Sequence, residues 1–168
     1  MGRKEYKIQG EVFGLVALCL LAFDISASID KSIANHKEHF SKIALEIWDN
    51  AELGYQEMDS SELLSDSLEK EGFKINKSVA GIPTAFIAEF GSKGPIIAIL
   101  GEFDALPGLA QSTSPFKEVI NNTTGAGHAC GHHLFGAASA WAAVAIKEWL
   151  VRTKTKGTIR FYGTPAAE

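Results

Sequence analysis

Apolar residues between Asp30 and about Asn50 recur every three or four positions, with Ile33, Phe40, Ile43, Ala44, Ile47 and Trp48 on one stripe. That period predicts an amphipathic helix. His36 and His39 lie on it and read as ordinary surface residues, because no Cys or acidic partner stands at a supporting spacing. A second helix is predicted from Ser60 to Gly72. Asp59 as N-cap and Glu62 three residues on form a capping-box pattern, and Gly72 supplies the stop. Three strand-like segments follow, Phe73 to Val79, Thr84 to Phe90 and Ile96 to Gly101, separated by glycine- and proline-containing turns. The third is a nearly unbroken apolar run, which predicts a strand buried on both faces in the middle of a sheet.

A polar stretch from about Ala105 to Gly127 predicts a long loop, a length usually reserved for function or mobility. From Leu134 to Val151 the chain is rich in alanine and apolar residues, and Gly136, Ala137, Ala138 and Ser139 give a small face able to approach a sheet closely. A buried helix is expected there, then a strand from Thr158 to Tyr162. Strand, loop, helix and strand together predict a βαβ crossover, and hence an α/β fold with helices flanking a central mixed sheet.

The first residues follow a different logic. Arg3, Lys4 and Lys7 precede a twelve-residue apolar run, Val12 to Phe23, which is followed by the small-x-small triplet Ser26-Ala27-Ser28. This is the layout of a signal peptide over residues 1–28, with a mature segment 29–168 in a secreted or periplasmic location. A stable span needs about 20 apolar residues, and Asp24 ends the run well short; an uncleaved membrane anchor is the lesser alternative. Leu18 before Cys19 argues against a lipoprotein signal. Removal of the segment leaves Cys130 as the lone cysteine, and so as a buried small hydrophobe, a nucleophile or a metal ligand.

Composition adds little beyond exclusions. With 168 residues, 46% apolar and 21% charged, the chain is long enough for one globular domain. A net charge of -4 without a basic cluster beyond the first residues excludes nucleic acid as an expected partner.

The chemistry concentrates in one place. The chain has five histidines, and His128, His132 and His133 fall within six residues that also hold Cys130. Thiolate and imidazole are favoured ligands of zinc and related metals, and carboxylates complete sites that keep a position open for water. A helix-capping loop whose histidines only hydrogen-bond is the plain alternative. A structural zinc knot is disfavoured because a second Cys/His pair is missing. Cys130 and His132 are the candidate ligands; His128 and His133 are candidates for orienting them or touching substrate. Glu102 and Asp104 follow one predicted strand and Glu168 follows another, and active sites of open α/β sheets form beyond such strand ends.

Three stretches, GEFDALPGLAQ (Gly101 to Gln111), GHACGHHLFG (Gly127 to Gly136) and KGTIRFYGTPA (Lys156 to Ala166), resemble the aminobenzoyl-glutamate hydrolase branch of the aminoacylase and carboxypeptidase metallohydrolase family. The segment IALEIWDNAELGYQE (Ile43 to Glu57) resembles it too. The resemblance implies a partial zinc-peptidase-like catalytic domain holding two divalent ions, zinc or manganese, and hydrolysing a small-molecule amide of the N-acyl, aroyl amino acid or dipeptide type. It implies Cys130, His132 and Glu168 as metal ligands, Asp104 as the supporting acid, and Glu102 as a residue near ligands or substrate.

Two departures qualify this. The family pattern Pro-x-Glu-Glu places a general base before the ligand Glu, whereas this chain reads Pro165-Ala166-Ala167-Glu168, so Ala167 occupies the position of the missing base. Loss of such a base removes about 10²- to 10⁴-fold in rate. The resemblance also implies further histidine ligands and a smaller dimerisation domain beyond residue 168. The expectation is therefore an N-terminal fragment that is weakly active or inactive alone, with a homodimer only for a full-length form. The alternative is a remnant that only binds metal or a partner.

Overall fold

Helix α1 (Arg3–Asn50) runs without a break, so the helix expected to begin near Asp30 begins at Arg3. No proline stands within it, and Asp24, which ends the apolar run, does nothing to end backbone hydrogen bonding. The computed structural model describes the backbone of residues 3–121 and 123–167, and side-chain surroundings from residue 27 onward. The expected cleavage triplet thus falls inside α1, and the side chains of the apolar run lie outside the described residues. Further along α1, Phe40, Ile43, Ala44 and Ile47 are buried, as their spacing requires.

Helix α2 (Met58–Lys70) starts two positions before the sequence expectation, and Asp59 does not cap it. The cap comes from Glu52, whose carboxylate accepts the backbone N–H of Asp59 (3.0 Å), that of Ser60 (2.8 Å) and the Ser60 hydroxyl. A carboxylate arriving from the preceding loop satisfies the orphan N–H groups and faces the positive end of the helix dipole. Local spacing rules cannot see a cap supplied from outside the helix.

Strands β1 (Lys74–Lys77), β2 (Phe86–Gly91), β3 (Ile96–Glu102) and β6 (Thr158–Thr164) form a mixed sheet in the order β1-β2-β6-β3. β1 and β2 are antiparallel, as are β2 and β6, while β6 and β3 are parallel. Helix α3 (His132–Thr153) connects β3 to β6, which realises the βαβ crossover. β3 departs from its expected place in the middle of the sheet: it lies at the edge of the described sheet, with Ile96, Ile97 and Leu100 at 55%, 52% and 60% exposure. β6 takes the central place instead. An apolar run reports that a strand tolerates burial on both faces, and says nothing about which strands lie beside it.

The core lies between α1, α3 and the sheet, where Phe40, Ile47, Leu64, Leu68, Phe86, Phe103, Val144 and Phe161 are buried. α3 is long and apolar enough to cross a membrane by composition, yet its Ala137, Ala140, Ala143 and Val144 are core residues packed among α1 and the strands. Gly136 explains how closely α3 approaches the sheet. A Cβ at this position would stand 2.6 Å from the carbonyl oxygen of Glu102, and one at Gly101 would meet the Phe161 ring and the Gly136 Cα. Two glycines therefore set the first turn of α3 against the end of β3. Within the predicted loop, β4 (Leu106–Pro107) and β5 (Ala126–Gly127) pair as a short antiparallel ladder.

Candidate metal centre

The parallel strands β3 and β6 end side by side, and the residues that follow them meet the start of α3. Glu102 closes β3, Asp104 lies two residues beyond, and Pro165-Ala166-Ala167 follows β6. His132 and His133 belong to the first turn of α3 itself, ahead of the expected start at Leu134. The chain reaches that turn through Gly131 at φ +85°, a left-handed conformation suited to glycine, and the Gly131 N–H donates to the His128 carbonyl. Cys130 is exposed, just before the helix.

Asp104, only 3% exposed, organises the site. Its Oδ1 lies 2.8 Å from Nδ1 of His132, and its Oδ2 accepts the backbone N–H of Ala167 at 3.1 Å. A carboxylate acceptor fixes the hydrogen on Nδ1, which leaves Nε2 as the ring atom able to face a metal ion. Nε2 lies 3.1 Å from Oε2 of Glu102. Among the described residues the oriented imidazole and one adjacent carboxylate are the donors brought together here, a pair suited to a divalent metal, while Cys130 stands two positions before His132 in the sequence, ahead of the helix.

His128 and His133, expected to orient the ligands or touch substrate, pack beside each other and against α1. His128 donates from Nε2 to the Ile47 carbonyl at 2.9 Å, and its ring lies 5.0 Å from that of His133, which meets Trp48 edge to face at 5.0 Å. Both histidines are buried, and Nδ1 of each has no hydrogen-bond partner. Burial holds His133 down to about 4, with repulsion from His128 and His132 adding to it. Burial likewise lowers His128, against the opposing hydrogen bond to Ile47. The pair forms an uncharged layer joining α1 to the first turn of α3.

Ala167, where the sequence led to the expectation of a missing base, is exposed, and its backbone N–H donates to Asp104. Glu168 lies outside the described residues. Glu57, which sequence reasoning did not single out, is fully buried. Its Oε1 accepts the Ala166 N–H at 2.9 Å while Oε2 is unpartnered. Ala166 itself sits at φ +50°, uncommon for a residue with a Cβ, and its Cβ would stand 2.9 Å from a Cβ at Gly54. A buried carboxylate thus holds a strained turn in place. The signal was present in the segment ELGYQE, whose acidic residues look like loop charges until the fold buries one of them.

A cavity of about 720 Å³ opens between Asp49, Glu52, Asp59 and the loop around Thr123, and among the described residues none of the predicted site residues lines it.

No protein-family model matches the chain. A solved dinuclear metal-binding peptidase of the M20 family from Bacillus subtilis superposes with a TM-score of 0.63 at 31% identity, covering 77% of this chain and 35% of that one. Among curated proteins, a component of the p-aminobenzoyl-glutamate hydrolase of Escherichia coli strain K12 is 42% identical over 145 residues, 86% of this chain and 30% of that protein. The chain belongs to the M20 family. Another relative, N-acetylcysteine deacetylase of Bacillus subtilis strain 168, is 34% identical over 73% of this chain and 31% of its own length. The chain therefore spans about 30% of the length of the M20 relatives it matches, and its mixed sheet with flanking helices is the corresponding part of an M20 catalytic domain.

Proposed function

We propose that this chain supplies one wall of a dinuclear metal centre for hydrolysis of an N-acyl or N-aroyl amino acid, with Cys130, His132 and Glu168 as ligands. The observation that carries the reading is the Asp104 to His132 hydrogen bond, which orients an imidazole beside Glu102 at the ends of two parallel strands. Bound divalent metal, zinc or manganese, supplies Lewis acidity for the amide carbonyl and lowers the pKa of water. The chain's own residues do the positioning. Asp104 fixes the His132 ring, the Glu57 and Asp104 carboxylates hold the backbone after β6, and the layer of His128, His133 and Trp48 supports the turn carrying Cys130 and His132. The names of M20 relatives favour aminobenzoyl-glutamate, hippurate and N-acetylcysteine as substrates to try.

A second reading rests on Ala167. A methyl side chain accepts no proton, so this wall binds metal while proton transfer at that position is lost. The two readings separate in one experiment on the full chain: zinc stoichiometry together with release of amino acid from the three amides. Cys130→Ser and His132→Gln are each expected to lower the zinc stoichiometry by the ion held at this centre under either reading, and chelator-sensitive turnover identifies the first. Zinc binding indifferent to both substitutions would overturn the proposed ligand set. Export is part of the first reading, and the mass of the mature N-terminus tests it: cleavage after residue 28 supports it and an intact residue 1 refutes it.

A further inference from the structure

We propose that His36, Glu71 and Glu148 form a second cation site, for one divalent transition-metal ion, that ties α1 to the body of the domain. His36 belongs to α1, Glu71 follows α2 and Glu148 belongs to α3. One ligand atom from each, an imidazole nitrogen and two carboxylate oxygens, lies within 4.8 Å of the others. His36 Nε2 is 2.9 Å from Oε1 of Glu148, and Nδ1 is 3.6 Å from Oε1 of Glu71. The two contacts use the two nitrogens of one ring, so an ion takes one of them; one imidazole and two carboxylates are an accepted ligand set for zinc.

Three features distinguish this cluster from a surface ion pair. Lys147 takes Oε2 of Glu71 at 3.1 Å and its backbone carbonyl at 2.8 Å, which immobilises the carboxylate and leaves Oε1 turned toward His36. Ser32, one helical turn before His36 on the same face of α1, is 4% exposed; its hydroxyl faces Glu148 yet reaches no partner at hydrogen-bond geometry. Charge gives the third. The two carboxylates face one lysine, so with neutral His36 the cluster carries a net negative charge, which either a proton on His36 or a cation at its ring can offset. Proton and metal compete for the same lone pair, so metal binding here weakens as pH falls.

Glu148 follows His132 by sixteen positions on one helix, about 24 Å along its axis, so the cluster is separate from the centre described above. Zinc chloride alone is the probe. In the full chain carrying Asp104→Asn and His132→Gln, calorimetric titration at pH 7.5 is expected to retain one zinc equivalent, with affinity falling at least tenfold on adding His36→Gln or Glu148→Gln. In the unsubstituted chain, histidine-selective NMR is expected to show the His36 ring resonances shifting to saturation with zinc, a readout independent of how the variants fold. No shift of those resonances with zinc, while they still titrate with pH, would overturn the proposal in favour of a protonated histidine held between two carboxylates.

Discussion

Oδ2 of Asp104 accepts the backbone N–H of Ala167 at 3.1 Å, so the residue that orients His132 also fixes the backbone at position 167. A side chain introduced at 167 starts from a backbone already anchored to the site. Ala167→Glu is expected to raise metal-dependent amide hydrolysis by about 10²- to 10⁴-fold. Steady-state release of aminobenzoate from aminobenzoyl-glutamate reads the effect; equal rates for the two chains would show that position 167 does not carry the proton.

Asp104→Asn tests the other end of the same carboxylate. An amide offers one acceptor oxygen, so it cannot serve both His132 Nδ1–H and the Ala167 N–H, and its NH₂ group then faces a donor. Zinc affinity is expected to fall about 10- to 100-fold, the usual cost of losing the partner behind a ligating histidine. A competition titration against a chromophoric chelator measures it.

Gly136 reverses a familiar rule. Replacing glycine by alanine inside a helix normally stabilises by about 1 kcal/mol. Here the new Cβ would stand 2.6 Å from the Glu102 carbonyl, and the backbone on both sides has little room to give. Gly136→Ala is expected to destabilise by about 1 to 3 kcal/mol. Urea unfolding decides the sign.

Acid should weaken the metal-free fold through the buried histidines. His133 is held near 4 in the folded state against an ordinary 6.5, so below about pH 6.5 the unfolded chain takes up a proton that the folded chain refuses. Stability is full above that range and declines from about pH 6.5 to 4, and His128, also lowered by burial, acts in the same direction. Denaturant midpoints in the presence of chelator should fall across this interval, and His133→Gln should flatten the fall.

The helical and strand periods make most of the architecture legible, because burial imposes them residue by residue. The crossover from β3 through α3 to β6 follows from three adjacent segments, and the small face at Gly136 does pack against the sheet. What escapes are relationships between distant residues. Glu52 caps a helix to which it does not belong, and Glu57 holds a turn 109 residues away. His36 looks like a surface residue for want of a nearby acidic partner, yet Glu148 lies 112 positions on and only the packing of α1 against α3 brings it close. The candidate centre is legible in part for the same reason: clustered His128, Cys130, His132 and His133 stand out in a sequence, while the division between His132 beside its carboxylates and the His128–His133 layer depends on which way each ring points.

The contact between Gly136 and the end of β3 has a consequence for how such a protein can change over time. His132 is placed by helix-on-sheet packing, whereas residues 113–121 and 123–125 of the polar loop are almost all exposed. Substitutions in the loop can therefore accumulate and reshape what the site admits while the chemistry-bearing residues stay where the core puts them. The molecule separates a fixed anvil from an editable mould.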